Sequence, residues 1–203
     1  MPPRGATLVI ACGALAREIA ALRRLNGWEL LDVHCLPAEL HNRPERIAPA
    51  VAAEIRARRA DYAHVFVAYA DCGTQGALDS LLQQEGIERL PGAHCYEFFA
   101  GAQAFAALHE AEPGTFYLTD FLLKNFERLV VRPLGLDRHP ELKDEYFRNY
   151  RRLVYLAQVE QPQSIARARA IAERLGFAFE YRRTGYGELG TKLNALAARA
   201  AST

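Results

Sequence analysis

The chain has 203 residues, 50% of them hydrophobic and 24% charged, a size that suits one domain or two small lobes. Its 25 basic and 24 acidic residues are interspersed and give a net charge of +1, which argues against binding to nucleic acid. No apolar run approaches the roughly 20 residues that span a bilayer, so we expect no membrane segment.

The first third of the chain alternates between strand and helix patterns. Residues 7–11 form a short apolar run that predicts a strand, and the helical spacing over 14–25 ends at an Asn-Gly pair. Residues 28–33 predict a second strand and 44–59 a long helix. Residues 64–70 give the clearest strand pattern of the chain.

The apolar run at the amino terminus also bears on the compartment. It is about six residues long before Cys12, which is shorter than the core of a signal peptide. We therefore expect a cytoplasmic protein in a reducing environment. Four cysteines in 203 residues are also too few for a disulfide scaffold.

The alternation continues to the carboxyl end. Strands are predicted at residues 88–90, 115–119, 151–157 and 177–181, and helices at 76–84, 96–111, 121–131, 140–150, 164–175 and 188–201. Parallel strands need helical crossovers, so this order predicts a three-layer αβα fold with a mostly parallel sheet. We expect a single α/β domain over residues 1–203, or two lobes, about 1–112 and 113–203.

An internal repeat is the most specific feature of the sequence. Cys12-Gly13 and His34-Cys35 recur as Cys72-Gly73 and His94-Cys95, and both pairs are offset by 60 residues. Each copy has the predicted order strand, Cys-Gly turn, helix, strand, His-Cys.

The position of the cysteines suggests a shared site. Parallel strands deliver their carboxyl ends to one edge of a sheet, where ligands bind, and Cys12, Cys35, Cys72 and Cys95 each follow a predicted strand. Helix amino termini at that edge favour thiolates, the form that binds zinc or iron–sulfur clusters. A metal-free redox or nucleophilic cysteine, and plain packing of small buried side chains, are the alternatives.

The glycines and histidines of the repeat are predicted to support a cofactor. Gly13 and Gly73 allow a tight turn and a close backbone approach. His34 and His94 precede cysteines and so point to the opposite face of an extended segment, where they could orient ligands or be ordinary core histidines.

Two carboxylates are predicted at the same edge as the cysteines. Asp71 adjoins Cys72, and Asp120 follows the strand predicted at residues 115–119. Either could act as a catalytic acid or base, or could cap a helix.

The motifs around Cys12, Cys72 and Cys95, with Phe-Tyr-Leu-Thr at 116–119 and Val-Tyr-Leu at 154–156, resemble the uncharacterised DUF1638 family over most of the chain. Members of that family look like companions of corrinoid methyltransferase systems in methanogens and in bacteria that demethylate methylamines. The family pattern holds these three cysteines more firmly than Cys35. The resemblance thus implies a three-thiolate zinc site or a [4Fe-4S] cluster with one open iron.

Together these features predict a cysteine-ligated metal or iron–sulfur protein in corrinoid-linked one-carbon metabolism, with a small-molecule substrate or a corrinoid methyltransferase component as its partner. One alternative is a non-catalytic accessory protein that transfers metal or corrinoid to a methyltransferase. Another is a small-molecule-binding α/β module with structural cysteines. The sequence leaves open whether the protein is an enzyme.

Overall fold

The computed structural model describes residues 5–202, which divide into two compact units. The first unit contains residues 5–98 and 186–202, and the second contains residues 99–185. The first unit is therefore built from two separate parts of the chain. No helix among the described residues is long and apolar enough to cross a membrane.

The first unit contains a four-stranded parallel sheet. Its strands are β1 (Thr7–Cys12), β2 (Leu31–Leu36), β3 (His64–Ala68) and the short β4 (Glu88–Arg89), in the order β2-β1-β3-β4. In the register of the sheet, Thr7 lies opposite both Leu31 and His64. Every residue of β1 is buried, as expected for a central strand covered on both faces.

Helices cover both faces of this sheet. They are α1 (Ala16–Asn26), α2 (Ile47–Arg58), α3 (Ala77–Glu85) and α9 (Gly187–Ala201), and the short α4 (Cys95–Ala100) follows β4 in the chain. The chain steps from β1 to β2 in one direction and from β2 to β3 in the other, so right-handed crossovers place α1 and α2 on opposite faces. Helix α9 packs on β1 and β2 beside α1, and α2 packs against α3.

The second unit has its own parallel sheet, with β5 (Thr115–Thr119), β6 (Arg152–Ala157) and β7 (Ala178–Arg183) in sequential order. Its helices are α5 (Ala102–Ala111), α6 (Asp120–Lys124), α7 (Leu142–Phe147) and α8 (Pro162–Leu175), with a π-helical turn at Glu127–Val131. The core joins buried side chains of β5 and β6 to those of α8, among them Leu118, Tyr155 and Ala172.

The predicted α/β class is confirmed, with parallel strands and helices around them. Both copies of the repeat have the predicted order, β1–α1–β2 and β3–α3–β4, although the strands of the whole chain form two sheets. The helix predicted over residues 96–111 is divided at Gly101, whose φ of 83° is incompatible with a continuing helix. The strand predicted to begin at Trp28 begins at Leu31, because residues 28–30 follow the left-handed Gly27 in a turn.

Candidate functional site

The point where the first sheet reverses its winding direction lies between β1 and β3. The chain leaves β1 toward β2 and leaves β3 toward β4, on opposite sides, and such a switch point opens a crevice at the carboxyl ends of the strands. Cys12 is the last residue of β1, and Cys72 lies in the turn that follows β3. Two repeat cysteines therefore flank the crevice.

Cys12 is buried beneath the loop that follows β2. Its side chain is 3% exposed, and the backbone N–H of Ala14 points at Sγ from 3.3 Å. Burial raises the pKa of the Cys12 thiol to about 12, although the Ala14 N–H favours the thiolate. Without a positively charged ligand, Cys12 is therefore a neutral thiol.

The loop that carries Cys72 is folded around the carboxylate of Asp71. Asp71 Oδ1 accepts hydrogen bonds from Thr74 Oγ1 at 2.5 Å and Gly76 N at 3.1 Å, and Oδ2 accepts one from Gly73 N at 3.2 Å. Burial opposes ionisation, but these bonds hold the pKa of Asp71 below its usual range. Asp71, which was predicted to be a catalytic carboxylate, thus stabilises the conformation of the loop that carries Cys72.

Cys72 has a left-handed backbone with φ of 51°, a conformation that is uncommon for a residue with a side chain. Burial raises the pKa of its thiol to about 11; the charge of Asp71 acts in the same direction and that of Arg89 opposes it. Cys72 N donates to Ala93 O at 2.8 Å, and Asp71 N donates to Gly92 O at 3.0 Å. These bonds fasten the segment before Cys95 to the Cys72 loop.

Cys95 is the first residue of α4, directly after that fastened segment. Burial raises the pKa of its thiol well above the usual value, and the charges of Cys72 and Cys12 raise it further. The backbone bonds of the preceding segment place Cys95 beside the Cys72 loop, at the same end of the sheet as Cys12. That the three thiols share a ligand stays a prediction.

Cys35 has a different environment. It lies inside β2 opposite Ala11, and its side chain is exposed. Partial burial raises the pKa of its thiol, and its charge is felt by Cys12. Cys35 is thus a neighbour of the three-cysteine cluster and is more open to solvent.

Two residues that the sequence analysis did not select, His41 and Tyr69, lie against Cys12. His41 Nδ1 is 3.6 Å from Cys12 Sγ and 3.2 Å from Ala38 O. The imidazole stacks on the buried Tyr69 ring at a centroid distance of 6.4 Å. Burial lowers the pKa of His41, which favours the neutral form of its ring. The ligand-rich stretch 34–42 was the sequence signal that could have identified His41.

The two predicted cofactor-binding glycines make close packing contacts. A Cβ atom on Gly13 would lie 2.7 Å from Leu36 O, so the glycine lets the loop after β2 approach β1 closely. Gly73 has φ of 83°, and a Cβ there would lie 3.4 Å from Pro44. Both glycines therefore allow close packing against neighbouring loops, Gly13 against the loop after β2 and Gly73 against Pro44.

The two predicted histidines differ in their distance from the cluster. His34 Nε2 lies 3.8 Å from Asp32 Oδ2, and Asp32 also accepts a hydrogen bond from Tyr62. His94 is exposed beside Tyr96, and its charge lowers the pKa of His41. His94 therefore lies near His41, whereas the His34 side chain contacts Asp32 on the same strand, β2.

Asp120, the second predicted catalytic carboxylate, belongs to the second unit, whereas all four cysteines belong to the first. It is the first residue of α6, and its two oxygens accept hydrogen bonds from Tyr155 Oη at 2.7 Å and Val159 N at 2.9 Å. Asp120 thereby connects the carboxyl ends of β5 and β6.

The donor types of the cluster suit a soft metal, since zinc and iron–sulfur centres take thiolate and imidazole ligands. Across residues 5–202, no three His, Cys, Asp or Glu side chains are already grouped as a coordination shell. Cys12 Sγ and His41 Nδ1 are in contact at 3.6 Å, and the described residues provide no third metal ligand beside this pair. The agreement with a soft metal is therefore one of donor types only.

A family model described as "Protein of unknown function (DUF1638)" matches residues 35–193, which is more than half of the chain. The chain belongs to the DUF1638 family. The DUF1638 match contains Cys35, Cys72 and Cys95 and begins after Cys12. No curated protein and no solved structure matches the chain.

A cavity of about 250 Å³ lies at the other edge of the first sheet in this DUF1638 protein. Thr7 and His64, at the amino ends of β1 and β3, line it together with Arg59 and Arg199. Ligands of open α/β sheets bind outside the carboxyl ends of the strands, so the cysteine crevice is the better candidate site.

Proposed function

We propose that this protein binds a soft metal centre, zinc or an iron–sulfur cluster, through Cys12, Cys72 and Cys95. The observation that carries the proposal is the position of Cys12 and Cys72 at the switch point of the first sheet, with the segment before Cys95 hydrogen-bonded to the Cys72 loop. The resemblance to companions of corrinoid methyltransferase systems supports a role in corrinoid-linked one-carbon metabolism.

The state of the thiols favours metal binding over nucleophilic catalysis. A cysteine nucleophile needs a lowered pKa, whereas burial raises the pKa values of Cys12, Cys72 and Cys95. A metal ion would displace the three protons, so binding would release acid and tighten with rising pH. The Ala14 N–H and the Arg89 guanidinium favour the negative charge that the sulfurs then carry.

Burial also favours a resident metal over one that is handed to a partner. A transfer protein needs thiols that a receiving site can reach, whereas Cys12 and Cys72 are 3% and 8% exposed. When bound, such a centre supplies Lewis acidity toward a substrate thiol or oxygen. The chain's own residues exclude water from two of the three sulfurs and hold the Cys72 loop in place through Asp71.

The test is anaerobic purification followed by zinc, iron and sulfide analysis and a visible spectrum, on wild type, Cys72→Ser and Cys35→Ser. We expect wild type and Cys35→Ser to contain the same metal in the same stoichiometry and Cys72→Ser to lose it. Cys35 is the matched control because it is a neighbouring thiol that is exposed.

The proposal fails if wild type is colourless and metal-free and also takes up neither added zinc nor a reconstituted cluster. That result would instead favour a small-molecule-binding module with structural cysteines. Equal metal loss in Cys35→Ser and Cys72→Ser would contradict the assignment of ligands.

A further inference from the structure

Strand β2 forms an open edge of the first sheet. It is the outer strand in the order β2-β1-β3-β4, and among the described residues it pairs with β1 alone. An unpaired edge can bind another strand, so proteins usually keep such an edge short or protect it with lysine or proline. The opposite edge, β4, is two residues long, whereas β2 has six residues and contains neither lysine nor proline. The β2 edge is therefore suited to pairing with a further strand.

The register of β1 and β2 shows which backbone groups of this edge are unpaired. The N–H of Thr7 donates to Leu30 O at 2.8 Å. In a parallel ladder such bonds use every second residue of a strand, so the even-numbered residues of β2 bond to β1. The N–H and C=O groups of Val33 and Cys35 therefore point away from β1.

We propose that β2 pairs with β2 of a second copy of this chain, antiparallel about a twofold axis at Val33. In this register, the N–H of each Val33 donates to the C=O of Val33 in the other copy, and the contact is self-complementary. Leu31 and Cys35 of opposite copies form the next hydrogen-bonded pairs. The two four-stranded sheets thereby become one continuous sheet. This inference is independent of the proposed metal site.

The polar side chains of β2 favour this register over its neighbours. An axis at Val33 places Asp32 directly opposite His34 of the second copy, in a non-hydrogen-bonded pair where side chains are closest. An axis at Asp32 would instead place two carboxylates face to face, and an axis at His34 would leave Asp32 opposite a leucine. An axis at Cys35 would pair Val33 with Pro37, which has no N–H to donate.

The Asp32 carboxylate has an oxygen available for this contact. Tyr62 Oη donates to Oδ2, and the 3.8 Å contact with His34 of the same chain also uses Oδ2. The Asp32 and His34 side chains are 42% and 29% exposed, respectively. Oδ1 of Asp32 can therefore accept a hydrogen bond from the His34 ring of the second copy.

The first experiment measures the mass of the full chain by size-exclusion chromatography with light scattering, over a dilution series under reducing conditions. Wild type is compared with His34→Asp and with the charge-swapped double variant Asp32→Lys/His34→Asp. The backbone is tested with Val33→Pro, and Val33→Thr is its control because it changes the same side chain and keeps the N–H. Far-UV circular dichroism of each variant checks folding.

We expect wild type to be a dimer. His34→Asp places two carboxylates opposite each other at both symmetric pairs, so the dimer should dissociate at more than about 10-fold higher concentration. The charge-swapped variant should recover the dimer. Val33→Pro removes an N–H that does not bond to β1, so we expect a folded monomer, whereas Val33→Thr should remain a dimer.

A covalent cross-link tests the register directly. Val33→Cys in a Cys35→Ser background places two thiols at the axis, where paired Cα atoms lie about 5.5 Å apart and a disulfide can form. Native Cys35 is the control, because its two copies would lie about 14 Å apart, too far for a disulfide. Mild oxidation should therefore cross-link the Val33→Cys protein into a covalent dimer and leave wild type uncross-linked.

Three results would overturn the inference. They are a wild type that is monomeric at every concentration, a dimer that neither His34→Asp nor Val33→Pro weakens, and cross-linking through native Cys35 but not through position 33. All three would leave the proposed metal site intact, because that site is tested by metal content and not by oligomeric state.

Discussion

Tyr155 Oη donates a 2.7 Å hydrogen bond to Oδ1 of Asp120, and the tyrosine side chain is fully buried. Removing the carboxylate with Asp120→Ala would leave this buried hydroxyl without its acceptor. We expect a loss of about 1–3 kcal/mol in unfolding free energy for Asp120→Ala and about 1 kcal/mol for Tyr155→Phe. Urea denaturation of both variants measures this, and unchanged stability in Asp120→Ala would contradict the structural role.

Gly13→Ala and Gly190→Ala form a matched pair that tests the close approach at β1. The new Cβ on residue 13 would lie 2.7 Å from Leu36 O and 3.1 Å from Ala38 N, both backbone atoms, and we expect a loss of about 1–3 kcal/mol. At residue 190, inside α9, the nearest atoms are at 3.6 and 3.9 Å, and the helix should gain up to about 1 kcal/mol. Thermal unfolding should therefore shift in opposite directions.

Asp79 and Arg89 provide a test of pH dependence. Arg89 Nε and Nη2 donate to the two Asp79 oxygens at 2.6 and 2.8 Å, and these bonds lower the pKa of Asp79. A lowered folded-state pKa adds stability above the unfolded value of about 4, and this stability is lost as pH falls through the folded value. Because Asp79 is 55% exposed, we expect Asp79→Asn to cost only about 0.5–1 kcal/mol at neutral pH.

The Asp79→Asn difference should shrink toward zero in an acid denaturation series as the pH falls through the lowered folded-state pKa of Asp79, below which both states are protonated. The control is the same substitution in an Arg89→Met background, which has already lost the partner. A difference that stays constant with pH, or that persists without Arg89, would rule out the ion pair as its source.

Thiol accessibility distinguishes the four cysteines in the metal-free protein. We expect a disulfide reagent to modify Cys35 rapidly, because it is exposed, and Cys12 and Cys72 slowly, because both are buried. Cys35→Ser should remove the fast phase, and all four wild-type thiols should react after denaturation. Rapid labelling of Cys72 in the folded protein, identified by mass spectrometry, would contradict the buried site.

Local patterns were sufficient to predict the class of fold and the strands that matter for the site. β1, β3 and β6 are apolar runs, and their carboxyl ends are where the sequence analysis expected them, within two residues. The sequence did not reveal that the strands form two separate sheets. No linker marks the unit boundaries near residues 98 and 186, and strands alternate with helices in the same way in both units.

The candidate site was predictable where the repeat applied. It drew attention to Cys12, Cys35, Cys72 and Cys95, and the family resemblance favoured the three other than Cys35; their metal-binding role stays a prediction. It could not identify His41, because the residue 60 positions later is Gly101 and the repeat has no histidine there. The neighbourhood of His41, Tyr69 and Cys12 depends on the path of the loop after β2, which local periodicity does not encode.

Helix α9 completes the first unit from the far end of the chain. It packs on β1 and β2, and its Leu189 and Leu193 are fully buried, yet the whole second unit precedes it in sequence. During translation, one face of the first sheet therefore stays incompletely covered until residues 187–201 have left the ribosome. Domains normally fold in the order of synthesis, and exposed apolar surface promotes aggregation. Truncation before residue 186 should accordingly yield a chain that depends on chaperones, even though every cysteine of the site is present.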